Sequence, residues 1–490
     1  MKVKKIILLL TILWMAPTLT MEMKNKIPLS ELKNLPLEMQ TTILKLRYQN
    51  HPLKRFVLRK IPVPFVQLTE HTNLIYKLAF SPDGKILATT GSFDNTAILW
   101  NVATGAKIYT LRGHTGWIKT LAFSPDGKIL ATGSTDKTAS LWDVATGAKI
   151  YTLTGHTGSI HTLAFSPDGK ILATGSADKT AILWDVATGA KIYTHTGHTG
   201  SIHFLAFSPD SKILATGSCD NTAILWNTET GAKIHTLTGH AGSIHTLAFS
   251  PNGKILATGS FDNTAILWNT ETGAKIHTLT GHTRLIHSLA FSPDGKTLAT
   301  ASTNKTAILW DVATGAKKYT LIGHTGWIKT LAFSPDGKIL ATGSNDKTLI
   351  LWNTKTGAKI RTLTGHADGI KTLAFSPNGE ILATGSNDKT TILWDLKKLL
   401  GVEHAFNDLN AAQWELLRGM VEAIKNTERT KKLHQIQATK NQWATFESLP
   451  EIIKKLLCLY IRPEQKKSAP TPKKNKRPKS TRRTGKEEIA

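Results

Sequence analysis

Cysteine is nearly absent: Cys219 and Cys458 are the only two in 490 residues. Two such distant cysteines cannot build a disulfide framework, and neither has a Cys or His neighbour at metal-ligand spacing. Acidic residues are also scarce, 35 against 61 Lys and Arg, giving a formal charge of +26. That balance disfavours cationic partners and favours anionic ones, whether nucleic acid, acidic lipid or an acidic protein face. Long apolar runs are missing beyond the first twenty residues, so no membrane span is expected in the mature chain. Phosphate-binding glycine loops, dinucleotide fingerprints and zinc spacings are missing too. No cofactor and no metal are therefore expected.

What is present is a repeat, whose detection decides the fold. Trp100, Trp142, Trp184, Trp226, Trp268, Trp310, Trp352 and Trp394 stand 42 residues apart, each followed by Asp or Asn. Gly-His pairs ending at His114, His156, His198, His240, His282, His324 and His366 keep the same period. His71 is the eighth member, one residue out of step because Thr89-Thr90 carries an inserted threonine.

One unit reads as four short strands with no helical period. Ser159 to Phe165 is an apolar run, and Ser166-Pro167-Asp168-Gly169 is a turn with Pro second and Gly fourth, as a type I turn prefers. Ile171 to Thr174, Thr180 to Trp184 and Lys191 to Thr194 supply the other strands. His, Ser/Thr, Asp and Trp at these offsets resemble the WD-repeat family, over roughly residues 61 to 401. The resemblance implies an all-β, eight-bladed propeller of four-stranded sheets around a channel. After Trp394-Asp395 no fourth-strand motif follows, whereas Val63 to Leu68 aligns with Ala106 to Leu111. The N-terminal segment is thus expected to be the outer strand of the last blade, latching the ring. Pro62 and Pro64 suit an edge strand.

Each unit carries a His-Thr-Asp-Trp set, such as His114, Thr132, Asp136 and Trp142, or His156, Thr174, Asp178 and Trp184. Such sets invite a triad reading with Thr as nucleophile. In the family the matching residues form a buried hydrogen-bond tetrad, and repetition eight times argues for structure rather than catalysis. No catalytic residue is assigned. The sixth unit departs, with Asn304 in the Asp position and Ala301 in the Gly position, and is expected to be the loosest blade.

Near-identical units make their differences informative. One variable stretch follows each His and contributes Trp117, Arg284, Leu285 and Trp327; another precedes each tetrad Asp or Asn and contributes Phe93 and Phe261. The resemblance puts both on one face of the disc, around the channel mouth. These residue types dominate interface energetics, so they are the candidate partner-binding face. One residue into each first strand stand Tyr76, Lys119, His161, His203, His245, His287, Lys329 and Lys371. A strand bulge would turn them to the mouth as a basic collar, gaining charge below about pH 6.5 and holding anions more tightly in acid. The four imidazoles, on separate blades, are expected to stand too far apart to share an ion.

The flanks read differently. Lys2, Lys4 and Lys5 precede an apolar stretch from Ile6 to Met15, so residues 1–20 are expected to be a cleaved signal that exports the chain to periplasm or medium. Residues 21–60 read as helical, and Leu35-Pro36-Leu37-Glu38 with Met39, Ile43, Leu44 and Leu46 resembles an F-box, which implies recruitment of a ubiquitin-ligase adaptor. Residues 402–462 form a second helical segment, amphipathic from Leu409 to Ile424. Residues 463–490 hold ten Lys/Arg between Lys466 and Lys486, a disordered basic tail suited to nucleic acid or another acidic surface. The expectation is an exported, monomeric, non-enzymatic protein-interaction scaffold, or alternatively an F-box-like substrate receptor acting as a bacterial effector.

Overall fold

Residues 65–399 are described by a computed structural model. The expected signal (1–20), the F-box-like segment (21–60), the second helical segment (402–462), the basic tail (463–490) and Pro62 and Pro64 lie outside them.

Thirty-two strands form eight four-stranded antiparallel sheets, with one helical turn at 396–399. Among the described residues no helix is long and apolar enough to cross a membrane. In the third unit the strands are Ile160–Phe165, Ile171–Ser176, Ala181–Asp185 and Lys191–His195, in the order inner, second, third and outer. Turn chemistry sets their ends. The Gly169 amide donates to Ser166 O at 2.8 Å, and the Asp168 carboxylate accepts from the Lys170 amide at 3.2 Å.

The inner strands pack side by side, and Ile75–Phe80 meets Ile370–Phe375, which closes the ring. The core consequently lies between blades. Ala131, Leu141 and Leu153 of blade two pack with Ile160, Leu172, Ile182 and Trp184 of blade three. An outer-strand aromatic adds a bond across six of the eight joints; Tyr109, for example, donates its hydroxyl to Ala145 O at 2.9 Å. Its ring lies over Gly147, where φ is +71° and a Cβ would stand 2.8 Å from Tyr109 Cγ.

The latch is as expected. Phe65–Leu68 pairs with Thr391–Asp395, placing Phe65 opposite Trp394 and Leu68 opposite Thr391. Leu68 is buried with Leu78, Trp100 and Leu393, so blade eight is completed from the other end of the chain. Val66 takes the aromatic's place: a Cβ on Gly105 would stand 2.6 Å from Val66 Cγ1.

Candidate binding face

Each tetrad is a chain of hydrogen bonds linking the loop before an inner strand to the second and third strands. In blade three, Trp184 Nε1 donates to Thr174 Oγ1 at 2.8 Å, and His156 Nε2 and Nδ1 stand 2.8 Å from Thr174 Oγ1 and Asp178 Oδ2. Burial lowers the His156 pKa despite the Asp178 charge. With the imidazole neutral every donor has one acceptor: Trp184 to Thr174, Thr174 to His156, His156 Nδ1 to Asp178. Burial would raise the Asp178 pKa, but bonds from Thr180 and His156 outweigh it and hold it at about 2. Blade two repeats the set with His114, Thr132, Asp136 and Trp142 at 2.8–2.9 Å. The threonine hydroxyls are fully buried and spent in these bonds, which leaves none free to attack a substrate.

The tetrad of blade six is stretched at one contact. His282 Nδ1 is 3.3 Å from Asn304 Oδ1, and burial without an anionic partner pushes the His282 pKa down to about 4. Ala301 is fully buried opposite Ser288, where blade three has Gly175 opposite Thr162.

The two variable stretches come together on one face. The Thr135 amide donates to Trp117 O at 2.9 Å and the Trp117 amide to Thr135 Oγ1 at 2.8 Å. Phe261 donates in the same way to Ser243 O, and Asn345 to Trp327 O. Neighbouring blades are joined there as well, by Ser201 to Ala177 O and Ser243 to Cys219 O. On this framework Phe93, Trp117, Phe261 and Trp327 remain 40–50 % exposed. Arg284 is exposed, whereas Leu285 is only half-buried, its backbone carbonyl taken by Thr303. Phe93 and Trp117 pack edge to face across the joint of blades one and two, with centroids 3.9 Å apart.

The bulge is present in every inner strand. Register slips between Ile160 and Thr162, leaving His161 unpaired, and likewise at Tyr76, Lys119 and Lys371. Bulges re-aim side chains, and here successive collar residues meet. His161 stacks on His203 at 4.4 Å, His245 Nε2 is 3.2 Å from His287 Nδ1, and Lys329 Nζ donates to His287 Nε2 at 2.8 Å. Lys119 Nζ reaches His161 Nδ1 at 3.3 Å, and Lys371 Nζ lies 5.7 Å from the Tyr76 ring centre.

This geometry narrows one expectation to neighbouring pairs and corrects another. Adjacent imidazoles are in contact, because the bulge brings them to the narrow inner edge of the ring; no group of three or more metal-ligand residues gathers among the described residues. Nor does the collar titrate near pH 6.5. Burial, then the charge of Lys119 or a neighbouring histidine, pushes His161 and His245 down to about 4 and His287 to about 3. His161, His245 and His287 are thus neutral at pH 5.5, burial shifts His203 the same way, and the charge of the mouth resides in the lysines.

Sequence reasoning passed over Lys77, one residue beyond the collar. The corresponding position holds Thr in blades two, three and five, where it faces glycine. In blade one it faces the inserted Thr90. Its signal was a lone charge at a hydroxyl position.

The family model for the WD domain, G-beta repeat, matches residues 63–101, 105–143, 315–353 and 357–395. The model for the echinoderm microtubule-associated protein second beta-propeller matches residues 162–322. Among solved structures, the crystal structure of the computationally designed Ika8 protein is 30% identical, at a TM-score of 0.62, over 68% of this chain and 100% of that one. Among curated proteins nothing matches significantly.

Proposed function

The chain belongs to the WD-repeat β-propeller family, and from that premise we propose that it is a non-enzymatic scaffold docking a protein partner on the face that carries Phe93, Trp117, Phe261, Arg284, Leu285 and Trp327. The observation that carries this reading is four large aromatics, 40–50 % exposed, raised on one face of a rigid ring. Exposed aromatics cost hydration free energy in the free protein and release it when a partner covers them. The tetrads beneath hold the loops in place, so little ordering entropy is lost on docking. Copies of one unit have no packing reason to acquire Trp or Phe at exposed positions.

The experiment is affinity capture with the full chain beside a Trp117→Ala/Trp327→Ala/Arg284→Ala variant. A partner held by the parent and lost from the variant supports the face. A partner that survives the triple change but disappears without residues 463–490 moves the function to the basic tail, where acidic or nucleic-acid contacts would be made.

A second reading makes the propeller the substrate-recognition half of an F-box-like receptor. It rests on Leu35-Pro36-Leu37-Glu38, and a ubiquitin-ligase adaptor bound through residues 21–60 is its test. Export, proposed from Lys2 to Thr20, is checked by the mass of protein recovered outside the cytoplasm: cleavage near residue 20 supports it, and an intact N-terminus removes it.

A further inference from the structure

The collar is not symmetric. Blades three to six contribute four imidazoles, all pushed by burial towards the neutral form. Blades seven, eight, one and two contribute Lys329, Lys371, Tyr76 and Lys119 in unbroken order. Lys77 stands within this arc. In blade two a Cβ on Gly133 would lie 2.8 Å from Thr120 Cγ2, so that threonine folds back over the glycine. Thr90 fills the equivalent space in blade one and is fully buried. Lys77 therefore extends away from the sheet. Its side chain is exposed to solvent, yet desolvation lowers its pKa, as fits an ammonium at the inner edge of the ring with protein on several sides.

Among the described residues no carboxylate is paired with these cations. On this face the tetrad aspartates are held by their histidines, as Asp136 is by His114, and Glu70 is paired with Lys107. Asp368, in the loop of blade eight, is the remaining described carboxylate there, and it accepts from the Gly369 amide. The nearest polar groups to the collar lysines are neutral: His161 for Lys119, His287 for Lys329 and the Tyr76 ring for Lys371. Uncompensated like charges in a partly desolvated mouth are costly, and an anion relieves that cost.

Resting on the docking face proposed above, we propose that this lysine arc receives an acidic polypeptide segment, whose anionic side chains meet Lys329, Lys371, Lys77 and Lys119. A single-stranded nucleic acid would also need free aromatic faces for its bases. In the arc one ring face is already taken within the Phe93–Trp117 pair and another at Trp327, where Lys329 Nζ stands 5.0 Å from the ring centre, which leaves exposed edges for side chains more than open faces for stacked bases. A side chain entering the mouth end-on also reaches Lys77 at the inner edge of the ring, which a continuous phosphodiester backbone lying across the face does not.

The test is binding of fluorescein-labelled octaglutamate to the full chain, read by anisotropy at low salt. Lys119→Met/Lys329→Met/Lys371→Met should weaken binding at least tenfold, and Lys77→Thr about threefold. Lys128→Met/Lys170→Met/Lys212→Met, the same charge change at the opposite ends of the strands, should change it less than twofold. The matching triple arginine variant of the collar should retain binding, which separates lost charge from lost folding. Equal weakening by the collar and opposite-face variants would overturn the site, as would octathymidylate binding more tightly than octaglutamate at the collar. If octaglutamate binding ignores the collar while a captured partner is still lost with Trp117, Trp327 and Arg284, the docking face stands and the acidic-segment inference falls.

Discussion

Blades three and six descend from one unit and differ in how they carry their departures from it. In blade six the departures come in matched pairs. Ala301 replaces glycine and Ser288 replaces the threonine opposite, so a methyl added on one strand is removed from its neighbour. Thr297 and Lys318 replace two isoleucines, and Lys318 Nζ donates to Thr297 Oγ1 at 3.2 Å and meets Asp311 at 3.1 Å. Blade three has one conspicuous departure, His195 in a leucine position, and it has no such answer. Its Nε2 is buried without a hydrogen-bond partner, and its ring lies 4.6 Å from that of Trp226. The pairs show change within a blade balanced in volume or polarity on a neighbouring strand of the same sheet. The unpaired imidazole marks a place where stability was given up.

Exchanging features between the two blades tests this directly. The largest effect is expected from Asp178→Asn, which gives blade three the weakened tetrad of blade six; the loss of a charge-assisted bond should cost about 2–3 kcal/mol. Gly175→Ala comes next. The new Cβ would stand 2.8 Å from both Ile202 Cγ2 and Thr162 Cγ2, an overpacking worth about 2 kcal/mol. Adding Thr162→Ser should recover about half, since blade six holds that combination. Guanidinium midpoints of the single and double variants give the coupling, and strict additivity would break the pairing argument.

Two changes should stabilise. His195→Leu restores the side chain that is buried at Leu111, Leu153 and Leu237, for a gain of about 1–2 kcal/mol. Burial pushes the His195 pKa down to about 4, below the unfolded value of about 6.5. The folded state therefore resists a proton that the unfolded chain accepts, so this stability is complete above pH 6.5 and is lost as pH falls towards 4. The advantage of His195→Leu should widen between pH 7 and 4.5. Asn304→Asp should add about 1 kcal/mol at neutral pH by giving His282 an anion, and its advantage should widen over the same range. A pH-independent gap in melting temperature would show that neither histidine is the origin of the gain.

The ring, the tetrads and the latch were legible because each is written eight times or completes a count of eight. Periodicity fixed the Trp and His positions, and the absence of a fourth-strand motif after Asp395 pointed to the segment before His71. The collar was legible as a position, since the residue after Ile118 or Ile160 changes chemistry from blade to blade behind an invariant isoleucine. Its chemistry was not. The charge of His161 or His287 depends on burial against a neighbouring blade, and one copy of a repeat says nothing of the copy beside it. Lys77 was missed for a related reason: its exposure follows from Thr90, which occupies the space on the opposing strand. Compensation between neighbouring strands becomes visible only once the register is known.

The smallest effect concerns the turn between the second and third strands of each blade. The residue after each tetrad Asp or Asn lies in the left-handed region: φ is +71° at Lys137, Lys179, Lys305, Lys347 and Lys389, and 55–73° at Asn95, Asn221 and Asn263. Asparagine tolerates that region better than lysine, whose Cβ crowds the following carbonyl. Lys179→Asn should accordingly raise the denaturation midpoint by about 0.5 kcal/mol, with Lys170→Asn, outside that turn, as the neutral control. The five lysines sit on separate blades, so changing all of them should sum to about 2–3 kcal/mol. If the fivefold variant gains nothing, the strain is absent: the Asp178 carboxylate, accepting from the amides of Thr157 at 2.8 Å and Thr180 at 3.0 Å, then sets the turn without local cost. In that case the alternation of lysine and asparagine among the blades is drift, and the energetic meaning of the differences between copies is confined to the paired strands and the docking face.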